Sequence, residues 1–311
     1  MKSNPALLPR PSDFYCSNSS QEVNESLLGT APHVNTWFML EHKGKWGHKA
    51  LTESDIPDSV KNHFNNYLDI DPLSRLLLIK QNELFHDSGS AFFVALANLP
   101  QPTLYKFHLK RYEDLLDFDL LSLSSGDPQY TTQLSVNPLF LICTNGIRDQ
   151  CCAKFGLPAY SSLAKKFGPH VWKSSHQGGH RFAPNMLCLP QGLCYGRASS
   201  ANAALIVRKY RRAEIHLPNL RGRASYPQHV QAAEGHLRAK IGDISISSLS
   251  FSGLIKHSDQ EWTVNFASSD GLSSHLVRIA KRLTGPRVFS SCVGDKYIEL
   301  SYYDLLDHSD L

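Results

Sequence analysis

The sequence predicts an α/β protein of two successive α/β units, residues 1–134 and 135–243, closed by a β-rich extension over 244–311. Three patterns carry that prediction. Short apolar runs alternate with a stretch of helical period through the first third of the chain. The order strand, helix, strand, hairpin, helix then follows over 138–212. From about residue 244 the period becomes two, with apolar and polar residues alternating as on half-buried strands.

Residues 1–30 are polar and turn-rich and read as an irregular arm. "NTWFMLE" (35–41) is a β-type run. "SDIPDSVKNHFNNYLDI" reads as an amphipathic helix, with Ser54 or Asp55 as cap, Pro57 in the first turn, and Val60, Phe64, Tyr67 and Leu68 on one face. "SRLLLIKQ" (74–81), "AFFVALANL" and "TLYKFHL" read as further strands, and "RYEDLLDFDLLSL" has helical spacing through Tyr112, Leu115, Leu116 and Leu120. The polar stretch 122–133 ends the first unit.

The second unit opens on "NPLFLICTNG", an apolar strand running into a turn at Asn145-Gly146. "CCAKFGLPAYSSLAKKFG" is helical in tendency but interrupted by Gly156 and Pro158, and "HVWKSS" is a strand. "NMLCLPQGLCYGR" alternates on both sides of Gln191-Gly192, as a hairpin does. "SSANAALIVRKYRRAE" is a helix capped by Ser199 or Ser200, and "YPQHVQAAEGHLRAKIG" another. This order is thioredoxin-like. In the extension, "EWTVNFA", "SSHLVRIAKRL", "PRVFSSC" and "KYIELSYY" form a meander with turns at Asp270-Gly271, Gly285-Pro286 and Gly294-Asp295; 273–283 also fits a helical period.

Composition narrows the class. The 41% hydrophobic and 19% charged content is that of an ordinary soluble globular protein, and a net charge of +4 is too weak to argue for nucleic acid. No run approaches the ~18 apolar residues of a membrane span, and the first residues lack a secretory apolar region. Seven cysteines in no regular framework fit a reducing, cytoplasmic location. Cys143, Cys151 and Cys152 crowd together, while Cys16, Cys188, Cys194 and Cys292 are scattered and read as core filler. Trp172 and Tyr195 read as core aromatics.

Two residue pairs carry chemistry. Cys143 and Cys152 form C-x8-C, one at a strand end and the other near a helix start. His176 and His180 form H-x3-H within "SSHQGGHRFAPN". On a helix that spacing would place both imidazoles on one face, but consecutive glycines cost roughly 1 kcal/mol each in a helix interior, so a loop is expected. Loops that follow neighbouring strands converge on one sheet edge, and two thiolates with two imidazoles suit either zinc or an iron–sulfur cluster. Structural zinc sites favour C-x2-4-C knuckles, whereas a binuclear cluster can be served by separate pairs, as the two histidines of Rieske centres show. Gly178 and Gly179 free the backbone to wrap such a centre.

"CTNGIRDQCCAKFG", "VWKSSHQGGHRFAPN" and "LPQGLCYGR" closely resemble the sucrase/ferredoxin-like family. The resemblance runs from "LLGTAP" (27–32) and "WFMLEHKGKWG" (37–47) to "RGRASYPQHVQAAEGHLR" (221–238), and is much weaker after about 245. It implies a thioredoxin-like ferredoxin domain over 135–243, with a [2Fe–2S] cluster on Cys143, Cys152, His176 and His180, and electron transfer rather than sucrose hydrolysis. The family pattern selects Cys152 over Cys151, which is left as a packed thiol or spare ligand. Asn145, Arg148, Gly178, Gly179, Arg181 and Asn185 stand where they could tune the centre through hydrogen bonds and charge. Equally, Asn145 could simply make the turn and Arg148 pair with Asp149 or another acid.

The leading expectation is therefore a redox carrier rather than an enzyme in its own right. Two neutral imidazoles place its potential above that of plant-type ferredoxins, and ring nitrogens open to solvent would couple electron transfer to protonation. The alternatives are a structural zinc site in a thioredoxin-like adaptor, or a thiol oxidoreductase acting through Cys143, Cys151 and Cys152. No paired-carboxylate or nucleophile motif supports hydrolysis. The basic stretch 208–223 reads as a solvated face, or as a docking face for an acidic redox partner such as a flavin reductase.

Overall fold

The computed structural model describes residues 13–81 and 89–310. A short helix, α1 (Cys16–Glu22), lies within the predicted irregular arm, whose residues 1–12 are outside the described residues. The first unit consists of β1 (Thr36–Glu41), α2 (Asp58–Ile70), β2 (Ser74–Lys80), β3 (Ser90–Leu96), β4 (Thr103–Leu109) and α3 (Leu120–Ser125). The second consists of β5 (Leu139–Cys143), α4 (Gln150–Phe167), β6 (Val171–Ser174), β7 (Met186–Leu189), β8 (Leu193–Tyr195), α5 (Ala203–Arg211), β9 (Leu220–Arg223) and α6 (Gln228–Ile241). A separate antiparallel sheet of β10 (Leu249–Ser258), β11 (Glu261–Ser268), β12 (Ser274–Phe289) and β13 (Tyr297–Asp310) completes the mixed α/β protein with its β-rich C-terminal part.

The two units share one nine-stranded mixed sheet, ordered β4-β3-β1-β2-β6-β5-β7-β8-β9. In the first unit β1 runs parallel to β2 and antiparallel to β3, which pairs with β4. In the second, β5 runs parallel to β6 and antiparallel to β7, which pairs with β8. The pattern legible over 138–212 thus occurs twice, and the copies meet where β2 pairs antiparallel with β6 through Ile79–Ser174 and Lys80–Lys173.

Burial on both faces explains the continuous apolar runs of the central strands, such as β1, every residue of which is buried. One face packs Phe38, Leu40 and Phe92 against Val60 and Phe64 of α2 in the first unit, and Phe140 and Ile142 against Tyr160 and Leu163 of α4 in the second. The other face forms a single cluster drawn from both units, in which Phe93 of β3 meets Trp172 of β6 edge-on at 5.6 Å. Helix α6 joins this body to the C-terminal sheet, packing Val230, Ala233 and Leu237 against Trp262, Val264 and Ile279. Among the described residues no helix is long and apolar enough to cross a membrane.

Several local expectations are corrected. Helix α4 runs unbroken through Gly156 and Pro158. Its buried side, including Ala159, Tyr160 and Leu163, outweighs the one N–H that proline lacks, since helical stability in proteins comes mostly from packing. Pro57, rather than Ser54 or Asp55, is the N-cap of α2; Ser54 lies in the preceding turn and donates its hydroxyl to the Leu51 carbonyl at 2.6 Å. Asn202, rather than Ser199 or Ser200, sits at the N-cap of α5. The stretch after Arg111 splits into a 3-10 turn and α3, because the Asp119 carboxylate accepts from the N–H groups of Leu121 and Ser122 and starts a new helix. Residues 274–289 are all strand, so Gly285-Pro286 makes a register shift within β12 and not a turn.

Candidate metal centre

Parallel pairing of β5 and β6 places Cys143 opposite Ser174, so the segments that follow both strands emerge at the same edge of the sheet. Cys143 is the last residue of β5. Asp149 caps α4, its carboxylate accepting the Cys151 N–H at 2.9 Å, and this sets Cys151 and Cys152 in the first turn. Consecutive residues of an α-helix point about 100° apart, and the two thiols here face different groups. Cys152 turns towards Cys143 and His176; Cys151 turns towards Cys16 and Cys292.

His176 presents Nδ1 to both members of the C-x8-C pair, 3.9 Å from Cys143 Sγ and 3.6 Å from Cys152 Sγ. The three donor atoms lie within 4.8 Å of one another. His180 lies beside this group, its ring 5.5 Å from that of His176. Its Nδ1, however, faces Asp149 at 3.2 Å and the Cys16 thiol at 3.3 Å.

The loop between the histidines is held by a set of hydrogen bonds to its backbone and to Gln177. Gln177 donates to the Leu141 carbonyl at 3.0 Å and the Ser174 hydroxyl at 2.8 Å, while Arg75 donates to the Gln177 carbonyl at 2.9 Å. Arg221 donates to the Gly178 carbonyl at 3.0 Å and to Asn185 Oδ1 at 2.8 Å, and the Asn185 amide donates to the Gly179 carbonyl at 2.8 Å. Gly178 and Gly179 adopt φ of +95° and +74°, which side chains disfavour, and a Cβ on Gly179 would meet the Arg221 guanidinium at 2.4 Å. Local turn geometry and a buried arginine, not a helix, fix the spacing of the imidazoles.

Electrostatics make the cysteine pair asymmetric. A hydrogen bond from Cys152 holds the Cys143 thiol well below its usual range, and that same bond to Cys143 holds Cys152 well above it. Burial lowers His180 to about 4, with neighbouring His176 and Arg181 acting in the same direction. Burial also brings Arg221 down to about 10.

The remaining expected site residues divide by location. Asn145 organises the turn, accepting from the Arg148 N–H at 3.2 Å and donating to the Gly47 carbonyl at 3.1 Å. Arg148 is exposed and meets the His48 ring at 2.9 Å rather than an acid. With His176 it lines an open cleft of about 240 Å³. Arg181 pairs with Glu25 at 2.7 Å. The basic stretch is only half solvated: Arg208, Arg211 and Arg212 are exposed, but Arg221 and Arg223 are buried in β9. Trp172 and Tyr195 are core residues.

Cys16 and Cys292 depart from the expectation of core filler, since both approach Cys151 and Asp149; Cys188 and Cys194 do fill the core. Neither the approach of Cys16 and Cys292 nor the part played by Asp149 has a local signature. Cys16 is separated by 135 residues from Cys151 and by 276 from Cys292, and only tertiary structure closes those distances.

Two thiols with an imidazole in reach are the donor set of zinc and iron–sulfur sites, and the residues fit such a group. The fold and site thus define a mixed α/β protein with a buried cysteine–histidine group able to hold a metal. The chain belongs to the sucrase/ferredoxin-like family, whose model matches residues 27–222. Comparisons with curated proteins and with solved structures gave no match.

Proposed function

We propose that the protein is an electron carrier whose redox centre is a [2Fe–2S] cluster, with Cys143 and Cys152 on one iron and His176 and His180 on the other. The observation that carries this reading is the meeting of Cys143, Cys152 and His176, from three separate elements, beside the His180 ring. Family membership supports it, and the β-α-β-β order of the second unit supports a thioredoxin-like ferredoxin domain. Bound there, such a cluster supplies one-electron transfer at a potential above that of four-thiolate ferredoxins.

The chain's own residues prepare the site. Metal binds cysteine as thiolate, so loading releases the protons that Cys143 and Cys152 hold. Asp149 engages His180 Nδ1 and leaves Nε2 as the donor, the carboxylate–histidine arrangement common at metal sites. Arg221 and Asn185 hold the glycine loop and with it the spacing of the imidazoles. The edge at His176, Arg148 and His48 is the open side, where a redox partner such as a flavin reductase would approach.

One observation favours a second reading. Separations of 3.6 and 3.9 Å between His176 Nδ1 and the two sulfurs match ligands of a single tetrahedral ion, as in a structural zinc site. Anaerobic purification, visible absorption, EPR after dithionite, and iron and sulfide analysis separate the two. A coloured protein with two irons and two sulfides per chain, whose His176→Cys variant keeps its cluster at a lower potential, is expected. Colourless, redox-silent protein holding zinc at these residues would overturn the electron-transfer reading.

A further inference from the structure

A second group of sulfur donors lies on the other side of α4, and the centre proposed above leaves it without a role. Cys16 at the start of α1, Cys151 in the first turn of α4 and Cys292 in the loop between β12 and β13 bring three thiols together. Their sulfurs stand 3.5 Å (Cys16–Cys151), 3.5 Å (Cys16–Cys292) and 3.1 Å (Cys151–Cys292) apart. Asp149 reaches the same point, with carboxylate oxygens 3.8 and 3.9 Å from Cys16 Sγ. All four residues are buried and their donor atoms lie within 4.8 Å of one another. Cys16 and Cys292 both lie outside the residues 27–222 that match the family model.

The geometry favours one ion. With metal–sulfur bonds of about 2.3 Å, tetrahedral ligands place neighbouring sulfurs roughly 3.8 Å apart, close to the spacing here. The surroundings are built for thiolates: the Cys16 N–H donates to Cys292 Sγ and the Ser17 N–H to Cys151 Sγ, each at 3.4 Å. Asp149 is fixed by the N–H groups of Cys151 and Cys292, both at 2.9 Å, so its carboxylate is already in place. Three soft sulfur donors and one carboxylate, all buried, with His180 Nδ1 3.3 Å from Cys16 Sγ, suit a structural site for a zinc-class ion.

We propose that Cys16, Cys151 and Cys292, with Asp149 as fourth donor, form a second metal centre that binds Zn²⁺ through ligands other than Cys143, Cys152, His176 and His180. Its ligands come from the N-terminal arm, the helix that carries Cys152, and the C-terminal sheet. An ion held there ties both ends of the chain to the first turn of α4, and stabilises the fold because the unfolded chain has no such site. Asp149 touches both centres through His180, which couples the clamp to the position of one proposed ligand of the other site.

The test uses the full-length chain, purified anaerobically without chelator, with zinc and iron measured by mass spectrometry. One zinc per chain is expected, retained in the Cys143→Ser/Cys152→Ser double variant and reduced at least tenfold in Cys292→Ser and in Cys16→Ser. The iron absorption of Cys292→Ser should persist. Where a serine variant does not fold, Co²⁺ titration of the wild type and of the double variant replaces it. One equivalent giving intense sulfur-to-cobalt absorption in both supports the proposal. Zinc lost only with Cys143 and Cys152 would overturn it, as would a Cys151–Cys292 disulfide in the native protein. Wild-type protein that holds zinc but no iron would overturn the electron-carrier reading alone.

Discussion

Gly156→Ala sets two physical effects of opposite sign against each other at the centre of the site. Helix propensity alone favours alanine by about 1 kcal/mol in a helix interior. The structure argues the reverse. A Cβ at 156 would stand 2.1 Å from the Cys143 carbonyl oxygen, about 1.3 Å short of the 3.4 Å at which ordinary contact begins. That oxygen is backbone at the end of β5, so α4 must lift off β5, and overpacking of this kind costs about 1–3 kcal/mol. The expected net effect is a loss of about 0–2 kcal/mol in stability. The same movement separates Cys152 from Cys143, and ligand distances must hold within about 0.2 Å, so metal content should fall at least tenfold at limiting metal. Urea denaturation and metal analysis on the same preparation provide both readouts. A variant as stable as wild type or more so, with full metal content, would refute the claim that close approach of α4 to β5 builds the site.

Two further outcomes follow from buried charge. Glu234 is 1% exposed and bridges Arg223 and Arg238, each at 3.0 Å. Glu234→Gln removes the carboxylate that both buried guanidinium groups share, although Asp243 stands 4.0 Å from Arg238, and should cost about 3–5 kcal/mol in urea denaturation; a loss below about 1 kcal/mol would show that the arginines find other partners. Burial lowers His33, His42, His170, His216 and His229 below the ordinary histidine value near 6.5. The unfolded chain therefore binds more protons than the folded one in this range. The contribution is fully present above pH 6.5 and is lost as pH falls through 6.5 towards the folded values. The urea midpoint should drop between pH 7.5 and 5.5, and an unchanged or higher midpoint at 5.5 would contradict this.

Much of the fold was legible because its elements are locally specified. Strands buried on both faces show as apolar runs, as in "WFML" and "LFLIC", and Gly192 sits at φ +64° in the hairpin turn expected between β7 and β8. The break expected at Pro158 is absent because the packing of α4, which lies outside the local pattern, outweighs it, while the N-caps at Pro57 and Asn202 make no side-chain cap hydrogen bond that the residue pattern would reveal. The twofold recurrence of the strand order was hidden for a related reason. It resides in pairing directions, and the two copies use different residues to achieve it.

At the site, the sequence by itself determined the chemistry on offer: a C-x8-C pair, an H-x3-H pair and a glycine loop that excludes a helix. These are close in sequence, and two neighbouring strands suffice to place them on one edge. Tertiary structure alone decided which sulfur faces which neighbour. The helical rotation between residues 151 and 152 sends Cys152 to Cys143 and His176, and sends Cys151 to the opposite side. There it meets Cys16 and Cys292, which no spacing could pair across separations of 135 and 141 residues. The turn of His180 Nδ1 towards Asp149 likewise depends on the cap of α4, a contact fixed only when helix, loop and arm pack together.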